Sequence, residues 1–178
     1  MKKIILLSLV LVASLSANAQ LLAVKTDAAL DLMRAANVGI DVAVGNRSTL
    51  GASLLAMNGT WGKDCEAYAF QPEYRYYFSG RAMHQHYLGL GGLAAHYNEQ
   101  RDDRKMKAVS FGAGLIFGYT MHVGNRWNID FHAGCGLHVF QKKVTIAEQP
   151  LPEGEPATTQ GMFAAPTSLG VSISYVIK

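Results

Sequence analysis

The sequence predicts an all-β fold: an eight-stranded antiparallel up-and-down transmembrane β-barrel that follows a cleaved signal peptide. Three observations carry this reading. First, every second residue from Val109 to Val123 is apolar, namely Val109, Phe111, Ala113, Leu115, Phe117, Tyr119, Met121 and Val123. The residues between are small or polar apart from Ile116. A period of two over this length is a strand with two different faces. It exceeds the average strand of a soluble sandwich and suits a tilted crossing of a bilayer, which takes about 9–11 residues. Second, the N-terminus has the parts of a secretory signal. Lys2 and Lys3 are followed by the apolar run 4–12 and by Ala17-Asn18-Ala19 as an A-x-A cleavage site. Third, short turns alternate with longer polar connections along the chain, as in outer-membrane barrels with both termini on the periplasmic side.

Cleavage after Ala19 divides the chain into residues 1–19, the signal peptide, and 20–178, the barrel domain. The first strand is expected over about 21–32, with Leu22, Val24, Thr26, Leu30 and Leu32 on one face and Lys25, Asp27 and Asp31 on the other. The second covers 38–44, where Val38, Ile40, Val42 and Val44 oppose Gly39, Asp41 and Ala43. The third, 48–57, has a blurred alternation at Leu55 and Met57. In the fourth, Tyr68, Phe70, Pro72, Tyr74, Tyr76 and Phe78 alternate with Gln71, Glu73, Arg75 and Tyr77. The fifth, 84–97, is rich in glycine, and Gly91-Gly92 points to a bulge. The sixth is the 109–123 strand. The seventh, 127–139, alternates Trp127, Ile129, Phe131, Ala133, Cys135, Leu137 and Val139 with Asn128, Asp130, His132, Gly134, Gly136 and His138. The eighth, about 163–177, ends with Leu169, Val171, Ile173, Tyr175 and Ile177 on one face.

The faces decide which side is inside. The polar faces are rich in Gly and Ser and carry the charges, which suits a narrow lumen. The apolar faces carry aromatics near strand ends, such as Tyr68, Tyr76, Phe78, Trp127 and Tyr175, as interfacial girdles do. A soluble lipocalin-like barrel would want the opposite arrangement. The short turns are Gly45-Asn46-Arg47, the stretch 79–83 and Gly124-Asn125-Arg126; the long connections are 58–67, 98–108 and 141–162. Val123 and Trp127 both point outward, so the turn between them has an odd length. Three residues with one in the left-handed region fit, which puts Asn128 opposite His122, Asp130 opposite Thr120 and His132 opposite Gly118.

Composition narrows the function classes. The formal charge is +3, and removal of Lys2 and Lys3 leaves +1 on the mature chain. That near-neutral balance gives no case for nucleic-acid binding. No run after residue 20 approaches the ~18 apolar residues of a spanning helix. Cys65 in a loop and Cys135 in a strand are poorly placed for a disulfide. No cysteine spacing of metal type occurs, and no cofactor is expected.

Several segments carry a family resemblance. They are L-L-A-V-K-T from Leu21, N-V-G-I-D-V-A-V-G-N-R from Asn37, E-Y-R-Y-Y-F-S-G from Glu73 and H-Y-L-G-L from His86. G-A-G-L-I-F-G-Y from Gly112, G-N-R-W-N-I-D-F from Gly124 and the ending P-T-S-L-G-V-S-I-S-Y from Pro166 complete the set. Together they resemble DUF3575, outer-membrane proteins of Bacteroidetes, over nearly the whole mature chain. The resemblance implies a small barrel and brings no activity and no catalytic residue. Some members are associated with fimbrial loci, which implies fimbrial or surface proteins as partners.

The predicted inward charges form the candidate site: Lys25, Asp27, Asp31, Asp41, Glu73, Arg75 and Asp130, with His132 and, nearer a turn, His122. Isolated charges in a narrow lumen are costly unless paired. Arg75, with five donors, is the natural hub for two carboxylates. The expectation is a polar network that plugs the lumen of a protein with a structural or surface-interaction role and no enzymatic activity. Its expected partners are outer-membrane lipids and lipopolysaccharide, the outer-membrane assembly machinery, and fimbrial or surface proteins. Two alternatives use the same residues differently. A narrow gated pore would open the charge pairs. A lipid-modifying enzyme, a lipid A deacylase or acyltransferase, would need Ser, His and an acid near one rim, and no strand face shows that pattern. His84 and His86 sit at H-x-H spacing without a third ligand. The charged stretch Arg101-Asp102-Asp103-Arg104-Lys105 and the proline-bearing segment 141–160 read as solvated loops.

Overall fold

The structure is a computed structural model that describes residues 21–59, 64–101, 104–146 and 158–177. The expected signal peptide and cleavage site lie outside the described residues, as do Trp61, Asp102, Asp103 and 147–157 of the proline-bearing segment.

Eight antiparallel strands close into a barrel, each pairing with the next in sequence and the last with the first. They are β1 (Leu22–Asp27), β2 (Ala35–Ala43), β3 (Ser48–Asn58), β4 (Asp64–Tyr77), β5 (Gln85–Arg101), β6 (Arg104–Val123), β7 (Trp127–Ile146) and β8 (Thr158–Val176). Among the described residues the one helix, α1, is the short Ala28–Leu32. At one end, the turn end, the connections are 44–47, 78–84 and 124–126. At the other, the loop end, β4 stays paired with β5 as far as Gln100, and β5 to β8 are the longest strands, at 17 to 20 residues.

The faces follow the expected parity. Val24, Ile40, Leu50, Phe70, Leu90, Leu115, Phe131 and Ile173 point out and are exposed, while Lys25, Asp41, Thr49, Arg75, Thr120, Asp130 and Ser174 point in and are buried. The 6–7 turn is the expected three-residue one: Val123 pairs Trp127, and Asn128, Asp130 and His132 pair His122, Thr120 and Gly118. Gly124 supplies the left-handed residue at φ 84. In β3, Leu55 and Met57 belong to the inward set, which is why the alternation blurs there. Cys65 is buried on the inner side and Cys135 faces outward, so the two lie on opposite faces.

Three expectations are corrected. The first strand does not reach residue 32. Asp27 ends it by capping α1, its carboxylate accepting from the backbone N–H of Ala29 and Leu30. Leu30, Asp31 and Leu32 therefore leave the strand alternation. The bulge is not at Gly91-Gly92, where β5 keeps one register with both neighbours. It is in β8, where Gly134 pairs Ser168 and Cys135 pairs Pro166, leaving Thr167 as the extra residue. Gly92 instead makes room for Pro72, whose ring a Cβ there would meet at 3.0 Å. Finally, much of the long connections is strand: β6 and β7 run 20 residues each. In stretches such as Lys105-Met106-Lys107 the pairing continues after the apolar alternation has ended, so hydropathy does not report it.

The 4–5 connection closes the turn end. Ala82 and Met83 within it are buried, at 3% and 4% exposure. Met83 and Gln85 both take left-handed backbone, at φ 58 and 60. Such positions cost of order 1–3 kcal/mol each and persist only where packing holds them. Met83 is buried and lines the same small cavity as Tyr77 and Asp130.

Candidate functional site

The lumen is built from rows of residues that share a register. One row runs Asp41, Gly51, Glu73, Gly91, Gly114, Gly136. The next toward the turn end runs Thr49, Arg75, Gly89, Ile116, Gly134. A third runs Tyr77, Tyr87, Gly118, His132, Gly170. Large side chains lean over the glycines of their own or the adjacent row. Gly51 lies between the carboxylates of Asp41 and Glu73, and Gly118 lies under the Tyr87 ring. The glycines are therefore the volume into which the charged and aromatic arms fold.

Arg75 is the hub. Its Nη1 donates to Asp130 Oδ2 at 2.9 Å, its Nη2 lies 2.9 Å from Glu73 Oε1, and Asp41 Oδ2 is 3.9 Å away. Its guanidinium carbon stands 4.6 Å from the centre of the Tyr87 ring. Lys25 bridges the other two acids, with Nζ 3.0 Å from Asp41 Oδ1 and in contact with Glu73 Oε1. Asp130 also accepts from Tyr87 Oη and Thr120 Oγ1, each at 3.0 Å. Arg75 on β4 and Asp130 on β7 are three strands apart in a ring of eight, as are Lys25 on β1 and Glu73 on β4. Both pairs thus cross the lumen rather than run along its wall. They staple opposite sides of the barrel, with side-chain exposures of 4% at Arg75 and 7% at Lys25.

Asp27 has a second role beside its cap. His132 Nε2 and Ser172 Oγ both meet its Oδ2, each at 3.3 Å. Ser172 thus sits on the acid and not against the imidazole, so this trio lacks the hydroxyl-to-base contact that activates a nucleophile. Above the staples, toward the loop end, lies a cavity of about 210 Å³ lined by Lys25, Asp27, Leu30, Gln71, Glu73 and His132.

Seven of the nine expected site residues converge here: Lys25, Asp27, Asp41, Glu73, Arg75, Asp130 and His132. Asp31 does not. It lies on α1, exposed, where its carboxylate takes hydrogen bonds from Thr26 Oγ1 at 2.9 Å and Asn37 Nδ2 at 2.9 Å. The α1 cap at Asp27 rotated it out of the lumen. His122 is exposed at the turn end, 4.7 Å ring to ring from His84. His86 is on the outer face against Phe117 and Tyr119, so the H-x-H pair is split between two surroundings. Among the described residues no group of three His, Cys, Asp or Glu is placed to hold a metal ion. Sequence reasoning missed Tyr87, Thr120 and Ser172. Thr120 was legible as the row partner of Asp130 once the turn length was fixed; Ser172 waited on the β7–β8 register and Tyr87 on the parity of β5.

The lumen is thus polar and charge-stapled inside an apolar wall. The chain belongs to DUF3575. That family, described as proteins of unknown function, matches residues 5–177. No curated protein and no solved structure matches the chain. Membership in DUF3575 therefore covers nearly all of the sequence and assigns no reaction to the lumen.

Proposed function

We propose that this DUF3575 member is an outer-membrane β-barrel protein of structural or surface-interaction role, with its lumen plugged by the Arg75 and Lys25 staples. The observation that carries the reading is the inverted polarity of the barrel. Leu90, Leu115 and Phe117 are 61%, 55% and 54% exposed on the outer wall, while Arg75 and Asp130 are 3% exposed inside. A continuous apolar outer wall needs a covering, and a bilayer is the one that fits a closed ring with no free strand edge. Aromatic pairs at the turn end, Trp127 with Tyr175 and Tyr76 with Phe78, fit an interfacial girdle. In this reading residues 1–19 direct export and are removed before Gln20. The turn end faces the periplasm and the extended β5–β8 hairpins face outward. Assembly machinery and outer-leaflet lipids are its general partners, and fimbrial or surface proteins would meet the extended hairpins.

The test is threefold on one preparation. Mature protein should begin at Gln20, fractionate with the outer membrane, and run as a faster band before boiling than after. In planar bilayers the wild type should show no steady conductance steps. Regular steps would favour the narrow-pore reading, and turnover of lipid A or phospholipid by pure protein would favour the enzyme. Water-soluble protein recovered from the periplasm would reject the membrane reading altogether.

A further inference from the structure

We infer that Lys105, Lys107 and Lys143, on the outer face at the loop end of β6 and β7, bind the phosphate groups of a phosphorylated glycolipid of the outer leaflet. Its acyl chains would lie along the adjoining apolar groove. The inference rests on the outer-membrane reading above and adds the site and the ligand chemistry.

Register places the three lysines together. Lys107 pairs directly with Lys143, so both point to the same face. Directly opposed side chains have Cβ atoms about 4.5–5.5 Å apart, and like charges so placed repel. Lys105 is two residues along from Lys107, on the same face. All three are exposed. Their outward neighbours in the row are the neutral Asn98 and Thr158. The nearest described outward carboxylate in that row is Glu66, which pairs Asn98 and is thus two strands from Lys107. At a strand spacing of about 4.8 Å that is roughly 10 Å. Among the described residues, then, three cations share a face with no carboxylate beside them. An anion between the strands would relieve that repulsion.

Position identifies the anion. Toward the turn end from Lys107 on β6 come Val109 and Phe111, and from Lys143 on β7 come first the polar Gln141 and then Val139 and Leu137, all exposed. The lysines stand at the edge of the apolar band, the level of phosphate headgroups. Val109 and Phe111 are also one wall of a groove of about 740 Å³ that continues across β5 to β2. Small Ala56 and Ala94 between Leu54, Phe70 and Phe111 make the wall concave there, and His96 sits at its upper edge beside Val109. A ligand with phosphates above and acyl chains below matches both parts at once. A second copy of the chain would bring its own lysines against these and matches only the groove.

The test uses the full chain in neutral detergent, checked first for heat-modifiable migration. Native mass spectrometry then titrates it with diphosphoryl lipid A and with the same lipid dephosphorylated. Each lysine near an anionic headgroup is worth about a five-fold preference. The wild type should therefore favour the phosphorylated lipid by about 100-fold, and K105Q/K107Q/K143Q should reduce that to a few-fold or less. K142Q is the control, because Lys142 lies in the inward row with Ala108; it should leave the preference intact. Equal binding of the two lipids, or an unchanged preference in the triple variant, overturns the site. So does a dimer that masks the face, or full competition by millimolar inorganic phosphate, which would show an anion site without lipid recognition. A chain that is monomeric and soluble without detergent instead overturns the membrane reading on which the site rests.

Discussion

Replacing Arg75 by Ala tests the staples where they carry most. In the wild type two cations, Lys25 and Arg75, face three carboxylates, Asp41, Glu73 and Asp130. Without Arg75 one cation faces three. Asp130 keeps Tyr87 and Thr120 as donors but loses the permanent cation of Arg75. Glu73 keeps Lys25. Leaving a buried charge without its partner costs about 3–5 kcal/mol. With a urea slope of about 2 kcal/mol per molar, the midpoint of unfolding from lipid vesicles should fall by about 1.5–2.5 M. A stranded carboxylate can also escape by taking a proton, so the deficit should shrink as the pH is lowered toward the carboxylate range. Arg75→Lys should recover only part of the loss, because one ammonium cannot fork to Glu73 and Asp130 together. A midpoint shift below about 0.5 M for Arg75→Ala, at unchanged slope, would refute the idea that the staples hold the barrel walls.

Four further outcomes rest on the same geometry. Asp27→Ala removes the α1 cap and the shared acceptor of His132 and Ser172; urea titration should show a loss of about 1–2 kcal/mol, near the upper range for caps. Gly118→Val should abolish the heat-modifiable folded band, because its side chain would enter the Tyr87 ring and crowd Phe131 O, 2.7 Å from a Cβ there. Deleting Thr167 should be tolerated, since the register on either side of the bulge already matches without it. Deleting Gly118 should not be, because a slip of one residue reverses the faces of half a strand.

The long two-faced strands were legible because one face is apolar throughout. Parity alone then fixed the Val123–Trp127 turn and the pairs built on it. It failed where a polar side chain could act on the backbone. Asp27 has the same alternation whether it continues a strand or caps a helix, and that choice moved Asp31 from lumen to surface. It failed again where the outward face turns polar, as in Lys105-Met106-Lys107 and Lys143-Val144-Thr145, so the loop-end parts of β5 to β8 were read as loops. The bulge went to Gly91-Gly92 because glycine is the usual local sign. It is at Thr167, where the sign is tertiary: the side chain turns inward beside His138, 3.5 Å from its Nε2. Of the site, the charges were visible as inward residues, but which of them meet across the lumen depends on ring closure, which no single segment encodes.

The proposed function requires the outer wall of the barrel to be in lipid and the staples to be sealed from water. The most direct measurement is a single-cysteine scan from residue 109 to 123 in vesicles, on a chain with Cys65 and Cys135 changed to Ser. Each site would carry a spin label read with oxygen and with a water-soluble nickel chelate. Oxygen maxima are expected at Phe111, Ala113, Leu115, Phe117 and Tyr119, alternating with sites that neither reagent reaches well. Nickel accessibility at that same outward set, or no period of two, would contradict the proposed function.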